Sequence, residues 1–271
     1  MTMNIDVSVV TATFRREHLL PQAITSALSQ KGVTLEVIVV DDSGEASARE
    51  AVAKLNDPRI RYVARTKPSG GPAIPRNDGA ALAKGRYIHF LDDDDLLVDG
   101  ALAALVGALD KKPSASMGFG IVTPFGDNTE DLRGHSHHHA MAARIARNLR
   151  STRELVANLL FHPAILVNST CMVRREAFAA TGGFDAAIHI GEDLDLWGRV
   201  ARLSGGHIFV DRPILRYRTG APSITNGSDV AGKMRASYQR MHAKYRETHG
   251  AVEFFAMKLW ARTLLRRSSA A

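Results

Sequence analysis

Short β-branched runs alternate with amphipathic stretches through the first half of the chain. Val7 to Thr11 reads as a strand, and Glu17 to Ser29 carries Leu20, Ile24 and Leu28 at helical spacing. Leu35 to Ser43 (LEVIVVDDS) is a near-continuous apolar run ending in acid, the pattern of a parallel strand buried on both faces. A polar helix at Ala46 to Asn56, a strand at Arg59 to Val63, a glycine-proline turn (SGGP), a helix through Asn77 to Ala83 and a strand in RYIHFLD follow. This alternation predicts an α/β fold with an open, mostly parallel sheet flanked by helices. Ligands of such sheets bind beyond the carboxyl ends of the strands, where Thr11, Asp41 and Asp92 to Asp95 fall.

The second half is less periodic. Residues from about Pro124 to Arg150, with HSHHH (His135 to His139) and several arginines, read as an insertion whose histidines form an exposed, mobile loop, with a lid over the donor site as the functional alternative. Strand-like AILVNSTCMV, the turn GGFD, a helix in EDLDLWGRVARL, strands at His207 to Val210 and Ile214 to Arg218, and two C-terminal helical patterns complete the chain.

The densest chemistry is FLDDDDLL, Phe90 to Leu97, where four carboxylates follow an apolar run. Each raises the cost of ionising its neighbours, so a positive partner is expected. On a strand Asp92 and Asp94 would share a face and Asp93 and Asp95 the other, offering an alternating pair to one cation. Hard Mg²⁺ or Mn²⁺ suits such a pair, because it keeps waters and takes further oxygens from a substrate phosphate. A calcium loop of the EF-hand type is excluded: counted from Asp92, its sixth and twelfth positions hold Leu97 and Ala103 instead of glycine and glutamate. Asp95 or Asp99 is expected to cap the following helix, ALAALVGAL, which accounts for one acid only.

Composition narrows the class. With 271 residues, 45% of them hydrophobic, the chain can bury a full core. One cysteine, Cys171, forms no internal disulfide and suits a reducing cytosol. The start, MTMNIDVSVV, reads as a first strand instead of a signal peptide, and no stretch reaches the roughly 18 apolar residues of a membrane span. A formal charge of +7 permits anionic partners. With only 6% aromatic residues, dispersed arginines and no helix-turn-helix, zinc-finger or RNP-like pattern, nucleic acid is not expected to be one of them.

Taken in order, SVVTATFRRE, VIVVDDSG, GGPAIPRNDGAALAKGRYIHFLDDDD and GGFDAAIHIGEDLDLWGRV resemble glycosyltransferase family 2, nucleotide-diphospho-sugar transferases of the GT-A fold, over residues 5 to about 220. The resemblance implies a Rossmann-like sheet with C-terminal helices and Mn²⁺ or Mg²⁺ on the diphosphate of a UDP, GDP or dTDP sugar. It makes Asp94 the principal metal ligand and Asp92 a ligand or ribose contact, with Asp93 at the variable middle position. It brings Thr11, Thr13 and Arg15 toward the nucleotide, lets Asp41 accept from the base and has Arg76 position the nucleotide. Asp193 becomes the general base toward a hydroxyl acceptor, a glycan, lipid-linked saccharide or natural product, with Glu192 beside it. The transfer would invert the anomeric centre and move a single sugar, since the chain has neither the membrane helices nor the Gln-x-x-Arg-Trp motif of processive relatives. Where family members often carry a histidine, this chain has Thr219-Gly220-Ala221-Pro222-Ser223, which puts a third protein ligand in doubt.

Plainer readings stand beside these. Thr11 can simply finish a strand, Asp42 and Ser43 a turn, and Arg76 can lie on a helix surface. Acids in a first helical turn, as Glu192 and Asp193 would be, follow from the helix dipole alone. A retaining transferase and a non-catalytic nucleotide- or carbohydrate-binding module are the alternative functions. A nucleotidyltransferase is disfavoured, because TATFRRE is not its glycine-rich loop, as is a phosphatase, whose acids would follow the first strand. The expected organisation is a catalytic domain over 1–225, with a nucleotide-binding half to about 115 and an acceptor half from 116, and a helical extension over 226–271. AVEFFAMKLWARTLLRR, with Lys258, Arg262, Arg266 and Arg267, reads as an interfacial helix or a packing surface, so peripheral contact with the inner membrane face and a homodimer both stay open for a cytoplasmic protein.

Overall fold

The computed structural model describes residues 4–161, 165–203, 205–220 and 230–270, with side chains described as far as residue 262. The first half follows the sequence pattern: β1 (Val7–Thr13), α1 (Leu20–Leu28), β2 (Leu35–Asp41), α2 (Arg49–Ala53), β3 (Ile60–Ala64), α3 (Ala73–Leu82) and β4 (Tyr87–Phe90). Then come β5 (Leu96–Leu97), α4 (Ala101–Lys111), β6 (Met117–Phe125), α5 (Thr129–Arg147), α6 (Thr152–Phe161), β7 (Met172–Arg174), α7 (Arg175–Thr181), α8 (Glu192–Ala201), β8 (His207–Arg218) and α9 (Val230–Ala270).

The strands make one sheet in the order β3-β2-β1-β4-β7-β6-β8-β5. Its first four strands are parallel; β7 runs against both β4 and β6, β8 is parallel to β6, and β5 runs against β8. Alternation divides the core between the two faces. Val7, Val9, Val37 and Val39 pack with Leu20 and Ile24 of α1 and Leu102 and Leu105 of α4. Val10, Ile38, Val40 and Phe90 pack with α3, α6, α8 and α9. Strands covered on both sides read as continuous apolar runs for this reason. The register sets Thr13 beside Asp41 and Val10 beside Phe90, so the chain leaves β1, β2 and β4 at one edge.

α3 lies unusually close to the sheet. A Cβ at Gly79 would meet Val10 Cγ1 at 2.4 Å and Val40 Cγ2 at 3.3 Å, so only glycine allows this approach.

Several expectations are corrected. His135 to His139 lie on α5, not on a mobile loop; Asn128 starts that helix by accepting from the Glu130 and Asp131 amides at 3.0 and 3.2 Å. Neither Asp95 nor Asp99 caps α4, whose N-cap is Gly100 with a left-handed backbone and no side-chain bond. The stretch expected as a strand from Ala164 holds a 3-10 turn at Asn168–Thr170 before β7, and Ala164 itself lies outside the described residues. The two strands expected after His207 are one, β8, in which the register against β6 shifts near Gly120 and Ile121. Gly250 (φ 81°, ψ 161°) breaks α9 into two segments. No helix among the described residues is long and apolar enough to cross a membrane.

Candidate active site

β4 ends at Phe90, so the acidic run forms a turn, held by the Asp95 amide donating to the Asp92 carbonyl at 3.2 Å. Strand alternation therefore does not apply. Asp92, Asp93 and Asp94 all line a cleft of about 460 Å³, and Asp95 accepts from the Arg218 amide at 3.0 Å. Arg16 Nη1 donates to Asp93 Oδ1 at 2.9 Å and to Asp94 Oδ2 at 2.8 Å, and the Thr13 hydroxyl donates to Asp93 Oδ2 at 2.7 Å. Burial, with the charges of Asp92 and Asp93, pushes Asp94 up to about 6. Burial also raises Asp93, and lifts Asp95 well above the usual carboxylate range. Burial opposes the charge on Arg16, but Asp93 and Asp94 outweigh it and raise its pKa.

The second acid pair opens α8, where Glu192 and Asp193 fall in the first turn and Asp193 Oδ1 accepts from the Leu194 amide at 2.9 Å. Arg76 of α3 connects the two sites. Its Nη1 donates to Glu192 Oε1 at 2.5 Å and its Nη2 to Asp92 Oδ1 at 2.6 Å. Desolvation works against this buried guanidinium, yet Asp92, Glu192 and Asp193 reverse the balance and keep it charged. The next residue, Asn77, fastens α3 to the GGFD turn by two reciprocal bonds of 2.9 Å with the Phe184 backbone. Burial pushes Asp193 up to about 7, with the Glu192 charge adding to the rise and Arg76 opposing it. Glu192 is raised by burial, with Arg76 again opposing.

The other expected residues divide. Thr13 and Arg76 line the cleft with Asp92, Asp93 and Asp94. Thr11 is fully buried in β1, and Arg15 is an exposed residue paired with Glu45. Asp41 is buried away from the cleft, with both carboxylate oxygens engaged: the Ser43 amide donates to one, the Ala48 amide and Tyr62 hydroxyl to the other. Burial alone would raise Asp41, but these donors hold it low.

Asp42 faces the cleft instead, accepting from the Ser69 amide and hydroxyl and pairing with Arg65. Arg16, Tyr217 and Arg218, to which the sequence assigns no role, also line the cleft, and His135, expected at the donor site only as part of a lid, lines it from α5. His139, one turn on, stacks at 6.0 Å on His135, and both rings lie 5.4 Å from Tyr217. Thr219 and Gly220 line the cleft, while Ala221, Pro222 and Ser223 lie outside the described residues.

The donor set suits a hard divalent cation. Three guanidiniums attend the turn: Arg16 pairs with Asp93 and Asp94, Arg76 divides itself between Asp92 and Glu192, and Arg218 Nε donates to the Asp94 carbonyl at 2.9 Å, so Asp92, Asp93, Asp94 and Glu192 still outnumber the cations. No set of three or more His, Cys, Asp or Glu ligands occurs among the described residues. Asp92 and Asp94 could therefore supply only part of the coordination of Mg²⁺ or Mn²⁺, with substrate oxygens and water supplying the rest.

Comparison with known proteins agrees with this architecture. The family model described as Glycosyl transferase family 2 matches residues 8–182. The succinoglycan biosynthesis protein ExoO of Rhizobium meliloti (strain 1021) is 39% identical over 105 residues, covering 39% of this chain and 30% of that protein. The GalNAc(5)-diNAcBac-PP-undecaprenol beta-1,3-glucosyltransferase of Campylobacter jejuni subsp. jejuni is 39% identical over 102 residues, 37% of this chain and 33% of that enzyme. The match thus spans about a third of the length of these curated relatives. The crystal structure of S. aureus TarS in complex with UDP superposes with a TM-score of 0.61 at 17% identity, covering 91% of this chain and 74% of that one. The mannosyltransferase PcManGT from Pyrobaculum calidifontis, in complex with GDP-Man and Mn2+, gives 0.60 at 16% identity over 100% of this chain and 76% of its own. At such identities the likeness is one of fold, the GT-A fold.

Proposed function

This chain belongs to glycosyl transferase family 2, and on that footing we propose that it transfers a single sugar from a nucleoside-diphosphate sugar to a hydroxyl acceptor, with inversion at the anomeric carbon. The observation that carries the reading is the Arg76 fork, which joins an acid site at the end of β4 to a second at the start of α8. One acid site alone would suit a binding module; two, joined by one buried cation, suit an enzyme with a donor side and an acceptor side. UDP and GDP-Man appear with the fold neighbours, and a polyprenyl-diphosphate saccharide is named in one relative. A UDP, GDP or dTDP sugar as donor and a glycan or lipid-linked saccharide as acceptor are in keeping with these.

In this scheme Asp92 and Asp94 hold Mn²⁺ or Mg²⁺, which when bound neutralises charge on the departing diphosphate. Arg16 and Arg76 keep the acidic turn ordered and its carboxylates directed into the cleft. Asp42, Pro68, the Gly70 to Pro72 turn and Thr13 bound the nucleotide end, and His135, Tyr217 and Arg218 form the facing wall. Asp193 takes the proton from the acceptor hydroxyl as that oxygen bonds to the anomeric carbon. The bond from that carbon to the diphosphate oxygen breaks, and the nucleoside diphosphate leaves. Burial gives Asp193 the basicity this needs near neutral pH, and Glu192, held by Arg76, fixes the helix turn beside it. The division of labour proposed for the chain places the donor side in 1–115, the acceptor side in 116–225 and a helical extension in 226–271.

Calorimetric titration of UDP, GDP, dTDP and CMP, with and without Mn²⁺, tests the donor side in wild type and Asp94→Ala. Binding of one nucleotide that needs both Mn²⁺ and Asp94 is expected. No binding of any nucleotide in either condition removes the proposal.

A further inference from the structure

The second segment of α9, beyond Gly250, has two apolar faces. Phe254, Met257 and Ala261 are buried against the body of the protein, the ordinary inward face of a packed helix. Its outward face should be polar, yet Val252, Phe255 and Leu259 stand 86%, 60% and 63% exposed. At 3.6 residues per turn these three fall within an arc of about 60°, opposite the buried face. Lys258 and Arg262, both exposed, flank the stripe on the side of Phe255. Glu253, the acid among the described residues of this segment, is engaged by Arg153 at 2.6 and 2.8 Å. The first segment carries exposed Lys233, Arg235 and Arg246, with Glu247 as an exposed acid beside the last of them.

We propose that this outer face of α9 docks on an anionic lipid surface, with Val252, Phe255 and Leu259 in the acyl boundary and Lys258 and Arg262 at the phosphates. An exposed apolar stripe bordered by cations is the arrangement of a helix lying in a membrane interface. Charge decides between a lipid surface and a second copy of the chain. Two copies meeting on this face would bring Lys258 and Arg262 toward like charges with Glu253 already engaged, in a protein of net charge +7. Anionic headgroups supply the charge that a copy lacks. The docking is independent of the transferase reading, since none of these residues lines the cleft.

The full chain is floated with vesicles of phosphatidylcholine alone and of phosphatidylcholine with phosphatidylglycerol. Flotation with the anionic vesicles only is expected, weakened by salt. Val252→Ser/Phe255→Ser/Leu259→Ser should stay in the soluble fraction with an unchanged circular-dichroism melt. Lys258→Gln and Arg262→Gln, at exposed positions that folding does not need, should each weaken binding about fivefold. Should the triple variant fail to fold, these two decide the matter. Absent flotation of wild type, or equal flotation of wild type and the charge variants, overturns the proposal. So does a concentration-dependent dimer in sedimentation that the triple variant dissolves, which would make the face a contact between copies.

Discussion

The turn after β4 and the first turn of α8 are both built from acids whose pKa values burial raises, and they differ in how cations brace them. At the β4 turn, Asp93 and Asp94 share Arg16, Asp92 takes one arm of Arg76 and Arg218 holds the Asp94 carbonyl, so each of these three carboxylates shares its cation with another acid. At α8, the other arm of Arg76 goes to Glu192, and among the described residues Asp193 has a backbone amide as its hydrogen-bond partner. The first arrangement invites a further cation. The second makes one carboxylate basic, because burial and the Glu192 charge are only partly offset by Arg76. Surroundings, not residue type, divide the labour between the two.

Asp193→Asn should break the comparison most deeply. It is expected to cut turnover by about 10²–10⁴-fold while nucleotide affinity stays near the wild-type value, measured by product formation and calorimetry together. Turnover at the wild-type rate would end the assignment of Asp193 as base. Next, Arg76→Met leaves Glu192 and Asp92 without their shared partner and should lower stability by about 3–5 kcal/mol in a denaturant melt. An unchanged midpoint would mean that the two sites are not joined through this side chain.

The titration of Asp193 gives two finer tests with definite signs. As a base it acts ionised, so kcat should rise as pH passes through about 7 and level off above it. Glu192→Gln removes a neighbouring negative charge and should move that inflection to lower pH; a stationary inflection assigns it to another group. For stability the sign is reversed. A carboxyl raised from 3.8 to about 7 by the fold costs nothing below 3.8, and its penalty grows until it is complete above about 7. Asp193→Asn should therefore raise Tm at pH 8 and leave it unaltered at pH 3.5. The smallest effect spares both acid sites: Asn128→Ala removes the α5 cap and should cost about 1 kcal/mol, with turnover affected only through the His135 wall.

What the sequence discloses tracks how each element is stabilised. The strand Leu35–Asp41 is legible because a parallel strand covered on both faces needs an unbroken apolar run. β6 goes unnoticed, as its Gly118, Gly120 and Pro124 lower local strand preference and the pairing that holds it comes from β8, far along the chain. α5 reads as a loop because its buried face is made of His139, Ala142, Ala143 and Ala146, too small and polar to show a period. The capping pattern of Asn128 before Glu130 and Asp131 was its one readable sign. The site shows the same limit at finer scale. The motifs locate Asp92 to Asp94 and Arg76, which line the cleft, and Glu192, which lies outside its lining and reaches Asp92 through Arg76, but the sequence places Arg15 and Asp41 where the cleft receives Arg16 and Asp42. Those residues lie at or past strand ends, where alternation stops predicting which side chain faces the ligand edge.

Gly79 sits one helical turn after Arg76, on the face of α3 pressed against Val10 and Val40. In mechanical terms α3 is a rigid arm with its bearing at Gly79 and its fork at Arg76. A methyl group at the bearing would have to lift the arm off the sheet, since Val10 is buried and branched at Cβ and has little room to turn. The fork would then swing away from Asp92 and Glu192 together. The tolerance with which this protein places its central charge is thus machined at a residue that carries no chemistry, to the width of a single hydrogen.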